Sequence, residues 1–290
     1  MSPDAVNPIG ANAWIWASPI TDAEIANLVP RVAGLGFDLI ELPVEEPGAW
    51  DPGRAAEVVA SAGITAGVCC VMPPGRDLAV SDRAVVRETV DYLGHCVDVA
   101  DRVGAGVVAG PMYAAVGRVW RMDRGERRAA IDRVADRLRP VAELAGEHGV
   151  SLAVEPLNRY ETSLLNTVEQ GLELVEAVDD PACGLLLDSF HMNIEEKSPA
   201  VAARAAAGRI AHVHACGTDR GTPGEDEFDW PGFIAALRAV DYTGPLCIES
   251  FTAANEVIAT AASIWRPLAP SPDALAGDGL SFLREALAAR

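Results

Sequence analysis

Short apolar runs, rich in branched side chains and closed by Gly, Pro or polar residues, recur along this chain. They lie at Ile9–Trp16, Phe37–Val44, Thr65–Met72, Ala105–Met112, Leu152–Leu157, Gly184–Asp188, Ile210–Cys216 and Leu246–Phe251. Between them the pattern shifts to a helical period. Within Ser81–Val103, Val86, Val90, Leu93 and Val97 fall at steps of four, three and four, and Gly104 follows as a stop signal. Asp123–His148 is a long Arg/Glu/Ala/Leu helix ended by Gly149. Thr167-Val-Glu-Gln170 reads as a capping box opening a helix through Val178, and Asp229-Trp-Pro231 opens another with Pro near its first turn.

Strands alternating with helices predict a parallel sheet with crossover connections. Eight such units in 290 residues fit an α/β fold of one kind, a closed (β/α)8 TIM barrel, with residues 1–290 as a single domain. No composition shift or Pro/Gly/Ser linker divides the chain. The tail, residues 253–290, is expected to hold an extended loop over Ala253–Gly279, with Pro267, Pro270 and Pro272, and then a last helix at Ser281–Ala289.

In such a barrel, reacting groups sit at the C-terminal ends of the strands. The fifth strand is read as ending Val154-Glu155-Pro156, the sixth Leu187-Asp188-Ser189, the seventh Val213-His214-Ala215 and the eighth Ile248-Glu249-Ser250. Four adjacent strands thus present Glu, Asp, His and Glu at one height. Mostly oxygen ligands, one imidazole and no thiolate are what a hard or borderline divalent ion takes. His212 shares a face with His214 but lies one layer deeper, about 6–7 Å down at the usual strand rise, and is expected to support rather than ligate.

Composition narrows the rest. With 42 acidic residues against 23 basic, the net charge is −19, and no basic patch for nucleic acid or an anionic membrane stands out. The densest basic run, Arg118, Arg121, Arg124, Arg127 and Arg128, is interleaved with acids and reads as a solvated loop and helix start. Lys197 is the only lysine and sits in a polar run, so imine-forming chemistry is disfavoured. Gly104-Ala-Gly-Val-Val-Ala109 matches a relaxed GxGxxA but enters a strand instead of joining a strand to a helix, so no nucleotide cofactor is expected. Six cysteines without a CxxC pair, no secretory leader and no apolar stretch of membrane length fit a cytoplasmic protein.

Longer motifs carry a resemblance. Val154-Glu-Pro-Leu-Asn-Arg-Tyr-Glu161 with Leu165-Asn-Thr167, Leu187-Asp-Ser-Phe-His-Met-Asn-Ile-Glu-Glu196, His212-Val-His214 with Asp219-Arg-Gly221, and Ile248-Glu-Ser-Phe251 resemble the ketose 3-epimerases. That group includes D-tagatose 3-epimerase and D-allulose (D-psicose) 3-epimerase, in the xylose-isomerase-like barrel superfamily. Ile264-Trp-Arg266 is similar to the group's C-terminal region. The resemblance implies one divalent ion, Mn²⁺ with Co²⁺ or Mg²⁺ as alternatives, bound by Glu155, Asp188, His214 and Glu249. It implies Glu155 and Glu249 as the acid–base pair, and Glu161, His191 and Arg220 as groups holding the first carbons and oxygens of a free ketose. A homodimer or homotetramer is implied as well.

The chemistry suits these roles. A proton beside a ketone is weakly acidic, and a Lewis acid bound by the C2 carbonyl and C3 hydroxyl stabilises the enediolate by several kcal/mol. Arg220 and His191 add donors where charge develops. Epimerisation needs an acid group on each face of the flat intermediate. Trp14, Trp16, Tyr113 and Trp265 are candidate walls for a sugar. Gly217-Thr218, where many relatives carry an acid, and Cys69-Cys70 are local departures that leave the preferred ketose open. Aldose–ketose isomerisation and keto-inositol dehydration on the same scaffold are the nearest rivals. A phosphodiesterase like endonuclease IV wants more than five histidines and a basic groove.

Overall fold

The computed structural model describes residues 7–289. Eight parallel strands pair in chain order and the last pairs with the first, closing a barrel. They are β1 (Ile9–Asn12), β2 (Leu39–Val44), β3 (Thr65–Cys70), β4 (Val107–Gly110), β5 (Ser151–Val154), β6 (Cys183–Asp188), β7 (Ile210–Ala215) and β8 (Leu246–Ile248). The helices are α1 (Asp22–Leu35), α2 (Pro52–Ala62), α3 (Arg83–Val103), α4 (Arg124–Glu147), α5 (Val168–Val178), α6 (Ser189–Glu195), α7 (Pro199–Ala205), α8 (Trp230–Ala239), α9 (Glu256–Ala261) and α10 (Pro272–Ala288). The fold is the (β/α)8 barrel that the alternation of patterns predicts. No helix among the described residues is long and apolar enough to cross a membrane.

Local signals set most boundaries. Asp82, Asp123 and Asp229 cap α3, α4 and α8 by accepting backbone N–H groups of the first turn. Gly104 ends α3 in the left-handed conformation at φ 77°, so the first glycine of the GxGxxA match serves as a helix stop. At α5 the expected capping box is half formed. Thr167 accepts from Gln170 N, but the Gln170 side chain reaches back to Asn166 N instead of Thr167 N.

Two expectations are corrected. The first strand stops at Asn12, whose side chain accepts from Trp14 N and starts a 3-10 turn over Ala13–Ile15. At the other end, the tail is not extended up to Gly279. Helix α9 interrupts it, and α10 begins at Pro272, with Ser271 as its cap. A proline has no N–H to lose in a first turn, so Pro272 opens this helix where it was read as part of a loop.

The main core lies between the barrel wall and the helices. Inside the wall, Val107, Ala109, Ala153 and Leu186 form a separate apolar cluster. Side chains alternate along a strand, so Ala153 points as Glu155 does and Leu186 as Asp188 does. This cluster is therefore the floor beneath the C-terminal mouth.

Candidate active site

The strand ladder delivers the acids to the mouth. Glu155 follows the last residue of β5, and its N–H donates to Gly110 O at 3.1 Å. Glu249 follows β8 and donates to Ala215 O at 3.2 Å. Asp188 pairs in register with His214 across β6 and β7. Asp188 Oδ1 caps α6, accepting from Phe190 N at 2.6 Å and His191 N at 3.3 Å, which leaves Oδ2 to face inward. The result is a buried group in which one ligand atom each from Glu155, Asp188, His214 and Glu249 lies within 4.8 Å of the others. His214 Nδ1 stands 3.3 Å from Glu249 Oε2, 3.9 Å from Asp188 Oδ2 and 4.0 Å from Glu155 Oε1.

This group fits a divalent cation. Glu155 Oε1 and His214 Nδ1 are buried and have no hydrogen-bond partner among the described residues. Such atoms usually cost about 1–3 kcal/mol each, and a shared ion would satisfy both. Three carboxylates and an imidazole match manganese, cobalt or magnesium better than a thiophilic ion. Burial, with Glu249 and Asp188 nearby, pushes the Glu155 carboxyl well above its usual range. Burial also pushes Glu249 upward, but His214 and Arg220 outweigh it and hold that group below its usual value.

Arg220 and His191 complete the polar wall. Arg220 Nη1 donates to Asp188 Oδ2 at 2.9 Å and Glu249 Oε2 at 3.1 Å, and the guanidinium lies 4.2 Å from the Phe190 ring centre. Its backbone is left-handed at φ 67°, in a turn closed by Gly217 N to Gly221 O at 3.0 Å. A Cβ on Gly217 would meet two carbonyl oxygens, of Gly221 and Thr222, at 2.9 Å. A side chain at Gly217 would therefore press on the carbonyls of the turn that carries Arg220 inward.

Burial pulls the His191 ring down to about 3, with Asp188 opposing and Arg220 and His214 adding to the fall, so the ring is neutral. Its Nδ1 accepts from Asn158 N at 3.0 Å, which puts the hydrogen on Nε2. Nε2 stands 3.6 Å from Glu155 Oε1 and 2.9 Å from Arg220 Nη2. Both of these nitrogens donate, so their contact is not a hydrogen bond, and an oxygen that accepted from both would relieve it. Glu161 reaches this group only through Asn158, whose Nδ2 donates to its Oε1 at 2.7 Å.

One residue the sequence reading passed over is Glu41. It is fully buried on β2, and its Oε2 accepts from Asn12 Nδ2 at 2.7 Å and lies 3.0 Å from His214 Nε2. Its Oε1 lies 3.0 Å from His212 Nε2, so His212 is the deeper neighbour that the two-residue period implies. An acid in the middle of the apolar stretch Leu39–Val44 is the available signal, because carboxylates are rarely fully buried without partners.

The aromatic candidates separate. Trp14 packs edge-on against Phe251 at 6.4 Å, Tyr113 is fully buried, and Trp16 is tied through Nε1 to Asp273 at 2.8 Å. Trp265 is 77% exposed. Of the basic run, Arg118 pairs with Asp77 at 3.1 Å and Arg127 donates to the Ser163 carbonyl at 2.7 Å, both fastening loops. All six cysteines are free and buried.

Known proteins share this architecture. Residues 29–286 match the model of a family described as the xylose isomerase-like TIM barrel. A probable ketose 3-epimerase of Synechocystis is 40% identical over 86% of this chain and 86% of its own. The solved structure of an L-ribulose 3-epimerase superposes with a TM-score of 0.90 at 33% identity, covering 97% of this chain and 95% of that one. A D-allulose 3-epimerase from Methylomonas, solved in complex with D-allulose, superposes at 0.89 with 28% identity and 99% coverage of both chains. This chain belongs to the xylose isomerase-like TIM barrel family and, within it, to the ketose 3-epimerases, which are isomerases.

Proposed function

We propose that the chain is a metal-dependent epimerase that interconverts free ketoses at C3, with Glu155 and Glu249 as its acid–base pair. The observation that carries this reading is the convergence of Glu155, Asp188, His214 and Glu249 on one buried centre, in a chain related to ketose 3-epimerases. D-Allulose and D-tagatose are the substrates we would try first, since a related 3-epimerase was solved with D-allulose bound. Mn²⁺ is the proposed ion, with Co²⁺ or Mg²⁺ as alternatives, and it supplies Lewis acidity beside the carbonyl.

The residues divide the remaining work. Glu249, which accepts from Arg220 Nη1 at 3.1 Å, is the group assigned to take the proton. Glu155, at the end of β5, is the group assigned to return one. They come from β5 and β8, so they approach a flat cis-enediolate from different sides of the mouth. The pair reverses roles for the reverse reaction. Arg220 and His191 present N–H groups to the oxygens where charge develops, and Glu161 steadies His191 through Asn158. Phe190 and Phe251 lie 4.2 and 5.1 Å from the Arg220 guanidinium and supply the apolar side of this wall.

We read the working protein as a homodimer or homotetramer in the cytoplasm, in keeping with the resembled group and with six buried free thiols. The test is a screen of free ketoses against the manganese-loaded protein in deuterated solvent. Epimer formation with deuterium at C3 is expected. Deuterium at C1 or C2 with aldose product, or loss of water from a keto-inositol, would replace this reading with isomerisation or dehydration.

A further inference from the structure

Beneath the acids runs a chain of hydrogen bonds whose direction can be read from one end. It starts at the backbone N–H of Trp14, which can only donate and lies 2.9 Å from Asn12 Oδ1. That contact sets the Asn12 amide, so Nδ2 is the end that donates to Glu41 Oε2, at 2.7 Å. Oε2 is thereby an accepting oxygen. His214 Nε2 stands 3.0 Å from the same atom, so the hydrogen between them belongs to the imidazole. A neutral ring with its hydrogen on Nε2 has a lone pair on Nδ1. Nδ1 is the nitrogen that faces Glu155, Asp188 and Glu249.

We infer that Glu41, oriented by Asn12, is a positioning residue that holds His214 in the Nε2–H tautomer and so presents Nδ1 to the ion. The inference rests on the metal reading of the four residues above it. A carboxylate on the far nitrogen of a ligating histidine fixes the ring and raises its basicity, and losing it typically weakens metal binding about 10–100-fold. Packing alone does not account for Glu41. The neighbouring inward positions Val107, Ala153 and Leu186 fill the same floor with apolar groups, whereas Glu41 is fully buried and charged.

The second oxygen shows which substitution separates charge from geometry. Glu41 Oε1 lies 3.0 Å from His212 Nε2 without a well-formed hydrogen bond, and neither His212 nitrogen has a hydrogen-bond partner among the described residues. In Glu41→Gln the amide oxygen can still accept from Asn12 and His214. Its NH₂ then meets His212 Nε2, which is free to accept once the His212 hydrogen moves to Nδ1. Glu41→Leu offers His214 no acceptor at all.

Calorimetric titration of the metal-free, full-length protein with MnCl₂ tests this directly. One ion per chain is expected for the wild type. Glu41→Leu should bind about 10–100-fold more weakly, and Glu41→Gln should recover most of the loss. A second measurement needs no variant to fold. In nitrogen–proton spectra of the zinc-loaded wild type, His214 should carry its hydrogen on Nε2. Equal affinity in Glu41→Leu, a hydrogen on His214 Nδ1, or a second ion held by Glu41 and His212 would each overturn the inference. A wild type that takes up no ion would overturn the metal reading together with this one, whereas the first three outcomes overturn this one alone.

Discussion

Glu155 Oε1 and His214 Nδ1 face each other across 4.0 Å, both buried, and neither has a hydrogen-bond partner among the described residues. The span is close to twice the roughly 2.1 Å bond of a small hard divalent ion. Groups left this way lower stability, so an ion that completes them should both activate and stiffen the protein. Dialysis against a chelator is expected to abolish epimerisation, and Mn²⁺ or Co²⁺ to restore it. At a hundred times its dissociation constant, an ion that binds only the folded chain adds about 2.7 kcal/mol. Thermal unfolding with and without Mn²⁺ reads that gain. Full activity in a verified metal-free sample would count decisively against the metal reading.

Glu155 and Glu249 carry the proton in this scheme, so replacing either by Gln should strike turnover harder than binding. The amide keeps the volume and an oxygen near the centre but exchanges no proton. A fall in kcat of about 10²–10⁴-fold is expected, with a much smaller change in KM once Mn²⁺ occupancy is confirmed to be full. Exchange of the C3 proton with solvent, followed by NMR, should fall in step with kcat. A variant that loses occupancy but keeps per-ion turnover would make that glutamate a ligand only.

How much of this was readable beforehand follows from where each residue sits. Glu155, Asp188, His214 and Glu249 each end an apolar run, and the fold puts such ends at one rim, so pattern alone brought them together. Glu41 gave no such sign, because it lies mid-run and its partners Asn12 and His214 are 29 and 173 residues away. Only closure of the barrel, with β1 beside β2 and β7 across the interior, makes them neighbours. The tail departs from its local pattern for a different reason. Pro272 and the glycines at 277 and 279 look like breakers, yet Ser271 caps a helix there and Gly279 packs where a Cβ would meet Ile248 Cδ1 at 2.9 Å. A contact of that kind leaves no trace in local periodicity.

Gly217 offers a test of how the turn serves the site. An added Cβ would lie 2.9 Å from two carbonyl oxygens, and backbone atoms cannot rotate aside as a flexible side chain does. Gly217→Ala is therefore expected to cost about 1–3 kcal/mol as overpacking and to displace Arg220, which sits three residues on. Because Arg220 donates to Asp188 and Glu249, kcat should fall alongside stability. Urea unfolding and steady-state kinetics on the same preparation read both. Lost stability with unchanged kcat would show that the turn does not position Arg220.

Asp273 in the first turn of α10 provides a pH test far from the acids. Its carboxylate accepts from Arg31 Nη2 at 2.6 Å and from Trp16 Nε1 at 2.8 Å, tying the tail to α1 and to the turn after β1. Its pKa is lowered, chiefly by the Arg31 hydrogen bond, with burial opposing and Trp16 adding to the fall. A carboxyl whose folded pKa lies below its unfolded value, about 3.9, stabilises fully above that value and loses the contribution as pH drops through the folded pKa. Both partners are well exposed, at 49% for Arg31 and 39% for Asp273, so the effect is discounted to about 0.2–1 kcal/mol and weakens with salt. Asp273→Asn should therefore be less stable than the wild type near neutrality, and the gap should close on acidification below pH of about 4. Urea midpoints for both proteins from pH 7 downward, at low and high salt, measure this. A gap that holds its size through that acid range would mean the side chain acts there by shape and hydrogen bonding and not by charge.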